Sequence, residues 1–221
     1  MKLSHLIVFF LSFYLISTAI SASEIQIVDG NDSPIEGLVI FLTPITSAGS
    51  DSKISPAQKS IIEIAQLNKK FKPYIKVIRK GQTVKFINKD DISHHIYSLS
   101  NSKKFAFKLK AEQMPELVKF DKTGAVSMGC NIHDWMSGHL LIVDTPYYTF
   151  TNSTGIAQFN IEKSNEYWIN IWHPQLNSDN HLQRARAVFP LNQRKKIKLD
   201  KPMLEIPDQE QIDDFDFLDG Y

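Results

Sequence analysis

Strand-length runs of alternating apolar and polar residues, cut by turn-forming clusters, set the limits on how this chain folds. Glu24 to Val28 alternates and is followed by Gly30-Asn31-Asp32-Ser33-Pro34. Gly37 to Leu42 is a β-branched run, and Thr83 to Asn88 alternates again after Gly81-Gln82. Ile61 to Ile64, Tyr74 to Ile78, Ile96 to Leu99, Phe105 to Leu109, Leu117 to Phe120, Ala125 to Cys130 and His139 to Val143 come at short spacing. Beyond Pro146 lie Tyr147 to Thr151, the turn Asn152-Ser153-Thr154-Gly155, Ile156 to Ile161 and Tyr167 to Trp172. Successive side chains of a strand point to opposite faces, so each run has one face to bury. Many such short runs predict an all-β sandwich or barrel. Helical periodicity is absent after the first twenty residues, although Ser55 to Leu67 leaves room for a turn or two.

The first residues read differently. Lys2 precedes the apolar stretch Leu6 to Ile16, and small residues from Ser17 to Ser23 follow. This is the layout of a secretory signal peptide, expected over residues 1–22. The apolar stretch is shorter than the ~20 residues a spanning helix needs. Export to the periplasm, without stable membrane insertion after cleavage, is the expectation.

Export makes the cysteine content informative. The chain has one cysteine among 221 residues. An intramolecular disulfide and a Cys-rich zinc site are excluded. A free thiol in an oxidising compartment is a liability unless it is buried, paired with another chain or bound to metal. Charge is unevenly spread behind a formal net charge of +1. Lys53 to Lys122 holds sixteen Lys and Arg against six Asp and Glu, whereas Pro202 to Tyr221 holds seven acids and no base. Residues 201–221 read as a solvated acidic tail. Nucleic-acid motifs are absent, so no nucleic-acid partner is expected.

The cysteine lies in the segment Gly129-Cys130-Asn131-Ile132-His133-Asp134-Trp135-Met136. Val126, Met128 and Cys130 share one strand face, so Cys130 points the way two core residues point. Three-residue steps then bring His133 and Met136. A thiolate, an imidazole and a thioether form a soft donor set. With a second imidazole it matches the trigonal His2Cys plane and long axial Met of blue copper sites. A structural zinc would call for four strong ligands. The second imidazole comes from His94 or His95, which follow the strand Thr83 to Asn88; adjacent residues of an extended chain point opposite ways, so one of the two is expected to ligate. His139 is a rival axial donor, but it lies within the next strand. His173 and His181 read as surface histidines.

From about Ile61 to Val143 the chain resembles cupredoxins of the plastocyanin and amicyanin type. Val77, Gly81, Val84, Phe86, Asn88, His94, Phe120, Gly124, Cys130, His133 and Met136 appear in the order of that family's pattern. The resemblance implies a Greek-key β-sandwich and one copper ion cycling between Cu(I) and Cu(II). It also implies His94 as the second imidazole, six positions after Asn88. The mature chain further resembles bacterial exported proteins of the methylamine-utilisation type, through His94-His95-Ile96-Tyr97-Ser98, Gly129 to Met136 and Asp144 to Tyr147. That likeness implies a second, carboxypeptidase regulatory-like or transthyretin-like (Ig-like) β-module.

The expected organisation is a copper domain over residues 23–145 with its core at 61–143, a small β-sandwich over 146–200, and the tail. The expected activity is single-electron transfer with a periplasmic redox protein or enzyme as donor or acceptor, through the edge formed by Ile132, His133 and Trp135. The alternative is a copper-binding accessory, chaperone or interaction module that does not shuttle electrons. No catalytic residues are expected, because a multicopper enzyme needs further His-rich sites and the chain has seven histidines.

Overall fold

The computed structural model describes residues 22–45 and 61–209. Almost all of the expected signal segment, most of the acidic tail and the first part of Ser55 to Leu67 lie outside these residues. The rest of that stretch is strand, not helix.

The chain is all-β. Strands β1 Ser23–Val28 and β2 Val39–Pro44 open it, followed by β3 Ile62–Leu67, β4 Lys70–Lys72, β5 Ile75–Arg79 and β6 Thr83–Asn88. Then come β7 His94–Ser98, β8 Phe105–Leu109, β9 Glu116–Lys119, β10 Gly124–Cys130 and β11 His133–Val143. The last five are β12 Tyr148–Phe150, β13 Ile156–Phe159, β14 Asn165–Trp172, β15 Leu182–Phe189 and β16 Lys195–Lys198. Among the described residues the sole helical element is the short turn Asp179–His181.

These strands form four sheets, ordered β13-β1-β16, β12-β2-β14-β15, β5-β11-β10-β7-β8 and β4-β3-β6-β9. Apolar layers set their stacking. Ile25 and Ile27 of the first sheet pack with Ile40, Leu42, Ile169 and Ile171 of the second. Ile64, Val84 and Phe86 of the fourth pack with Ile96, Val126, Leu140 and Ile142 of the third. Between the two sandwiches, Val39 and Trp172 of the second sheet meet Val77, Leu141 and Val143 of the third. Thus β2 and β11 are buried on both faces, which is why Val39 to Leu42 and Leu140 to Val143 are continuous apolar runs rather than alternating ones. Each fully buried side chain of this size contributes about 1.5–3 kcal/mol.

The sheet pairing departs from the expected division at residue 145. β1 pairs with β13 and β16, and β2 pairs with β12 and β14. Residues 23–44 therefore complete the second sandwich. Alternation marks the face a strand buries but not its partner, and these partners lie more than a hundred residues away. The turn expected at Asn152 to Gly155 is present: Asn152 Oδ1 accepts the Thr154 and Ile156 N–H groups, and Gly155 takes φ +71°. A Cβ at Gly155 would collide with the Ile27 carbonyl oxygen, so the turn needs glycine for space as well as conformation.

A polar seam borders the layer between the sandwiches. The His139 ring packs edge-on against Tyr74, centroids 5.1 Å apart. The Tyr74 hydroxyl accepts from Gln175 Nε2 at 3.0 Å, and the Gln175 backbone N–H donates to His173 Nδ1 at 3.1 Å. His181 is exposed as expected, but His173, the residue after β14, is 5% exposed, because the loop that follows folds back over its ring. Burial, with His173 and His181 close by, lowers the His139 pKa to about 4; burial and His181 do the same for His173. The unfolded chain takes up these two protons near pH 6.5, the folded chain only near pH 4. Their contribution to stability is complete above pH 6.5 and is lost as pH falls towards 4. Thermal unfolding followed by circular dichroism should show Tm dropping over this interval. The drop should be shallower in the His139→Gln/His173→Asn double variant, in which the amide oxygen introduced at position 173 can still accept the Gln175 N–H.

Candidate metal centre

Register across one hairpin builds most of the centre. β10 and β11 are antiparallel, with Cys130 directly opposite His133 across the turn Asn131-Ile132. Directly opposed residues share a face, so both side chains enter the core. The next pair is Gly129 with Ser137, which leaves Asp134, Trp135 and Met136 outside the ladder as a bulge. Met136 turns inward within it, 1% exposed, in the same apolar cluster as Cys130 and Met128.

β7 delivers the other imidazole. Cys130 pairs with Ile96, and His94 lies two residues along on the same inward face. His94 is 0% exposed, while His95 faces the opposite way, its carbonyl accepting the Asn131 N–H at 3.0 Å. Asn88 ties the loop before His94 in place. Its Nδ2 donates to the Ile92 and Leu109 carbonyls at 2.6 and 3.1 Å, and its Oδ1 accepts the Asp90 N–H at 3.0 Å.

The donor atoms converge. Cys130 Sγ lies 3.8 Å from His94 Nδ1 and 3.5 Å from His133 Nδ1. The His94, Cys130 and His133 donors all lie within 4.8 Å of one another, and all three residues are buried. His139 is not part of this group; it is on the opposite face of β11, against Tyr74. His133 is the donor nearest the surface, at 9% exposed, beside Ile132 at 51% and with the Trp135 ring 5.3 Å away.

Electrostatics favour an ionised sulfur. Burial raises the Cys130 pKa, but hydrogen bonding with His94 and the Ile132 and His95 N–H groups outweighs it, so the thiol sits below its ordinary value. Burial disfavours a charged His94, but Cys130 and the Asp90 carboxylate outweigh it and raise that pKa. Burial and the neighbouring His94 lower that of His133. Asp90 accompanies the centre without having stood out in the sequence. Its only signal there is a carboxylate four residues before His94, in a loop with two adjacent aspartates.

A buried thiolate with two imidazoles is a soft set, and it fits copper. No family model and no curated protein matches the chain. Solved structures do. Among the structures it is similar to are cupredoxins and a Cu-containing nitrite reductase. A reduced amicyanin variant shares 18% identity, covering 47% of this chain and 99% of that one, with TM-score 0.34. A purple cupredoxin from Nitrosopumilus maritimus shares 23% identity over 37% of this chain and 99% of that one, TM-score 0.32. A Cu-containing nitrite reductase from Thermus scotoductus shares 21% identity over 38% of this chain and 23% of that one, TM-score 0.33. At these identities and scores the side chains, not the likeness, carry the chemistry.

Just past the bulge, β11 packs closely against β4. A Cβ at Gly138 would lie 2.8 Å from Phe71 Cβ, an atom fixed to the β4 backbone. Gly138→Ala should lower stability to chemical denaturation by about 1–3 kcal/mol, and the loss should persist when copper is added.

Proposed function

We propose that this is an exported, periplasmic type 1 copper protein that transfers single electrons. The observation that carries the reading is the buried convergence of Cys130 Sγ with the Nδ1 atoms of His94 and His133. Cys130, His94 and His133 would hold the ion, with Met136 as a further donor from the bulge. Copper bound there supplies one-electron chemistry between Cu(I) and Cu(II).

The chain's own residues account for the rest. Two donors share one hairpin and the third is on the strand paired with it, so the donor positions are set by backbone hydrogen bonds. Close-packed interiors resist rearrangement. A site that moves little between two oxidation states favours fast exchange. Ile132 and Trp135 flank the His133 side and leave that edge within reach of a docking partner. Among the described residues no helix is long and apolar enough to cross a membrane. A periplasmic redox protein or enzyme is the proposed donor or acceptor.

The Cu(II)-loaded protein should show an intense thiolate-to-copper absorption band in the red. Cys130→Ser should abolish it. Failure of the fully loaded wild-type protein to show the band would overturn the proposal. Met136→Leu, a swap of similar volume costing less than about 1.5 kcal/mol, should keep the band and raise the reduction potential, because a donor to the oxidised ion is removed. Slow electron self-exchange together with ready copper loss to a chelator would instead indicate the accessory role.

A further inference from the structure

Asp90 lies four residues before His94, and its carboxylate Oδ2 is 2.9 Å from His94 Nε2. The same carboxylate accepts the Asn68 N–H through Oδ1 at 2.6 Å and the Lys69 N–H through Oδ2 at 3.0 Å. Asn68 and Lys69 are the two-residue turn of the β3–β4 hairpin, where Leu67 pairs with Lys70. Both have left-handed backbone, φ 55° and 54°. Two consecutive non-glycine residues in that region are uncommon, and here the turn aims two adjacent N–H groups at one carboxylate. We propose, building on the copper reading above, that Asp90 is a positioning residue of the metal centre: it dictates which His94 nitrogen faces the ion, and its charge favours the oxidised state.

The first half follows from proton counting. An ionised carboxylate can only accept hydrogen bonds. The proton between Asp90 and His94 therefore sits on Nε2. A neutral imidazole carries a single N–H, so Nδ1 keeps its lone pair, and Nδ1 is the atom turned towards Cys130 Sγ. Partners of this kind orient a ligating histidine and tune its metal. An amide at position 90 could present a donor to Nε2 and move the ring proton to Nδ1, where it would compete with the ion.

The second half follows from charge. The Asp90 side chain is 9% exposed, so solvent screens it weakly. The negative charge lies one imidazole away from the donor cluster, and it stabilises a dipositive ion more than a monopositive one. Removing it weakens Cu(II) binding more than Cu(I) binding, which raises the reduction potential. The two N–H donors from the hairpin keep the carboxylate fixed.

The test uses the copper-loaded full chain with Asp90→Asn and Asp90→Glu, read by redox titration, Cu(II) competition and NMR of the Cu(I) form. Wild-type protein should show a slowly exchanging His94 Nε2–H. Asp90→Asn should shift the potential upward, weaken Cu(II) binding by about 10–100-fold and make that proton exchange fast. Asp90→Glu, which keeps the charge, should shift the potential less. A lower Tm with an unmoved potential would mark Asp90 as only structural and overturn the proposal. If Asp90→Asn does not fold, a wild-type His94 Nε2–H that exchanges rapidly with solvent overturns it. Absence of the red band in loaded wild-type protein instead overturns the copper reading, and this proposal with it.

Discussion

The two-residue turn between Cys130 and His133 is the constraint on which the centre depends. It sets the two side chains directly opposite each other and sends both into the core. The jump to the Gly129–Ser137 pair then expels three residues from the ladder and gives Met136 the freedom to turn inward. The same register reaches β7, because Cys130 opposite Ile96 places His94 on the inner face. A slip of one residue would exchange His94 for His95 and dismantle the donor set, since side-chain direction alternates with every residue.

Such a hairpin holds its shape only if it is held from outside. Its third sheet is the middle of the stack, with one face on the fourth sheet and part of the other on the second sandwich. Leu140 and Ile142 anchor β11 inward while Leu141 and Val143 anchor it outward. The second sandwich thus contributes to the metal centre without touching it, by packing against the back of the strand that carries His133 and Met136. The price is the seam that holds His139 and His173 uncharged, which ties the stability of the stack to near-neutral pH.

Much of this was legible in the residue order. The runs from Thr83 to Asn88 and Ala125 to Cys130 appear as strands where alternation places them. Cys130 points inward with Val126 and Met128, and His133 follows at the spacing a two-residue turn requires. Other features were not. β1 pairs antiparallel with β13 and parallel with β16, and nothing in its alternation names either partner. His173 read as a surface histidine, yet the loop that follows folds it beneath Gln175. Asp90 did not stand out, because the N–H groups that fix its carboxylate, those of Asn68 and Lys69, belong to a distant turn.

By itself the sequence determined an all-β chain, the inward face of each strand and a soft donor set on one short hairpin. These are local properties, since the period of two and the spacing of Cys130, His133 and Met136 act within a few residues. The tertiary structure decided which sandwich the first two strands complete, which of two adjacent histidines enters the core, and which carboxylate holds it. Those outcomes depend on hydrogen bonds and apolar layers between segments far apart in the chain, whose energies exist only after the sheets have packed.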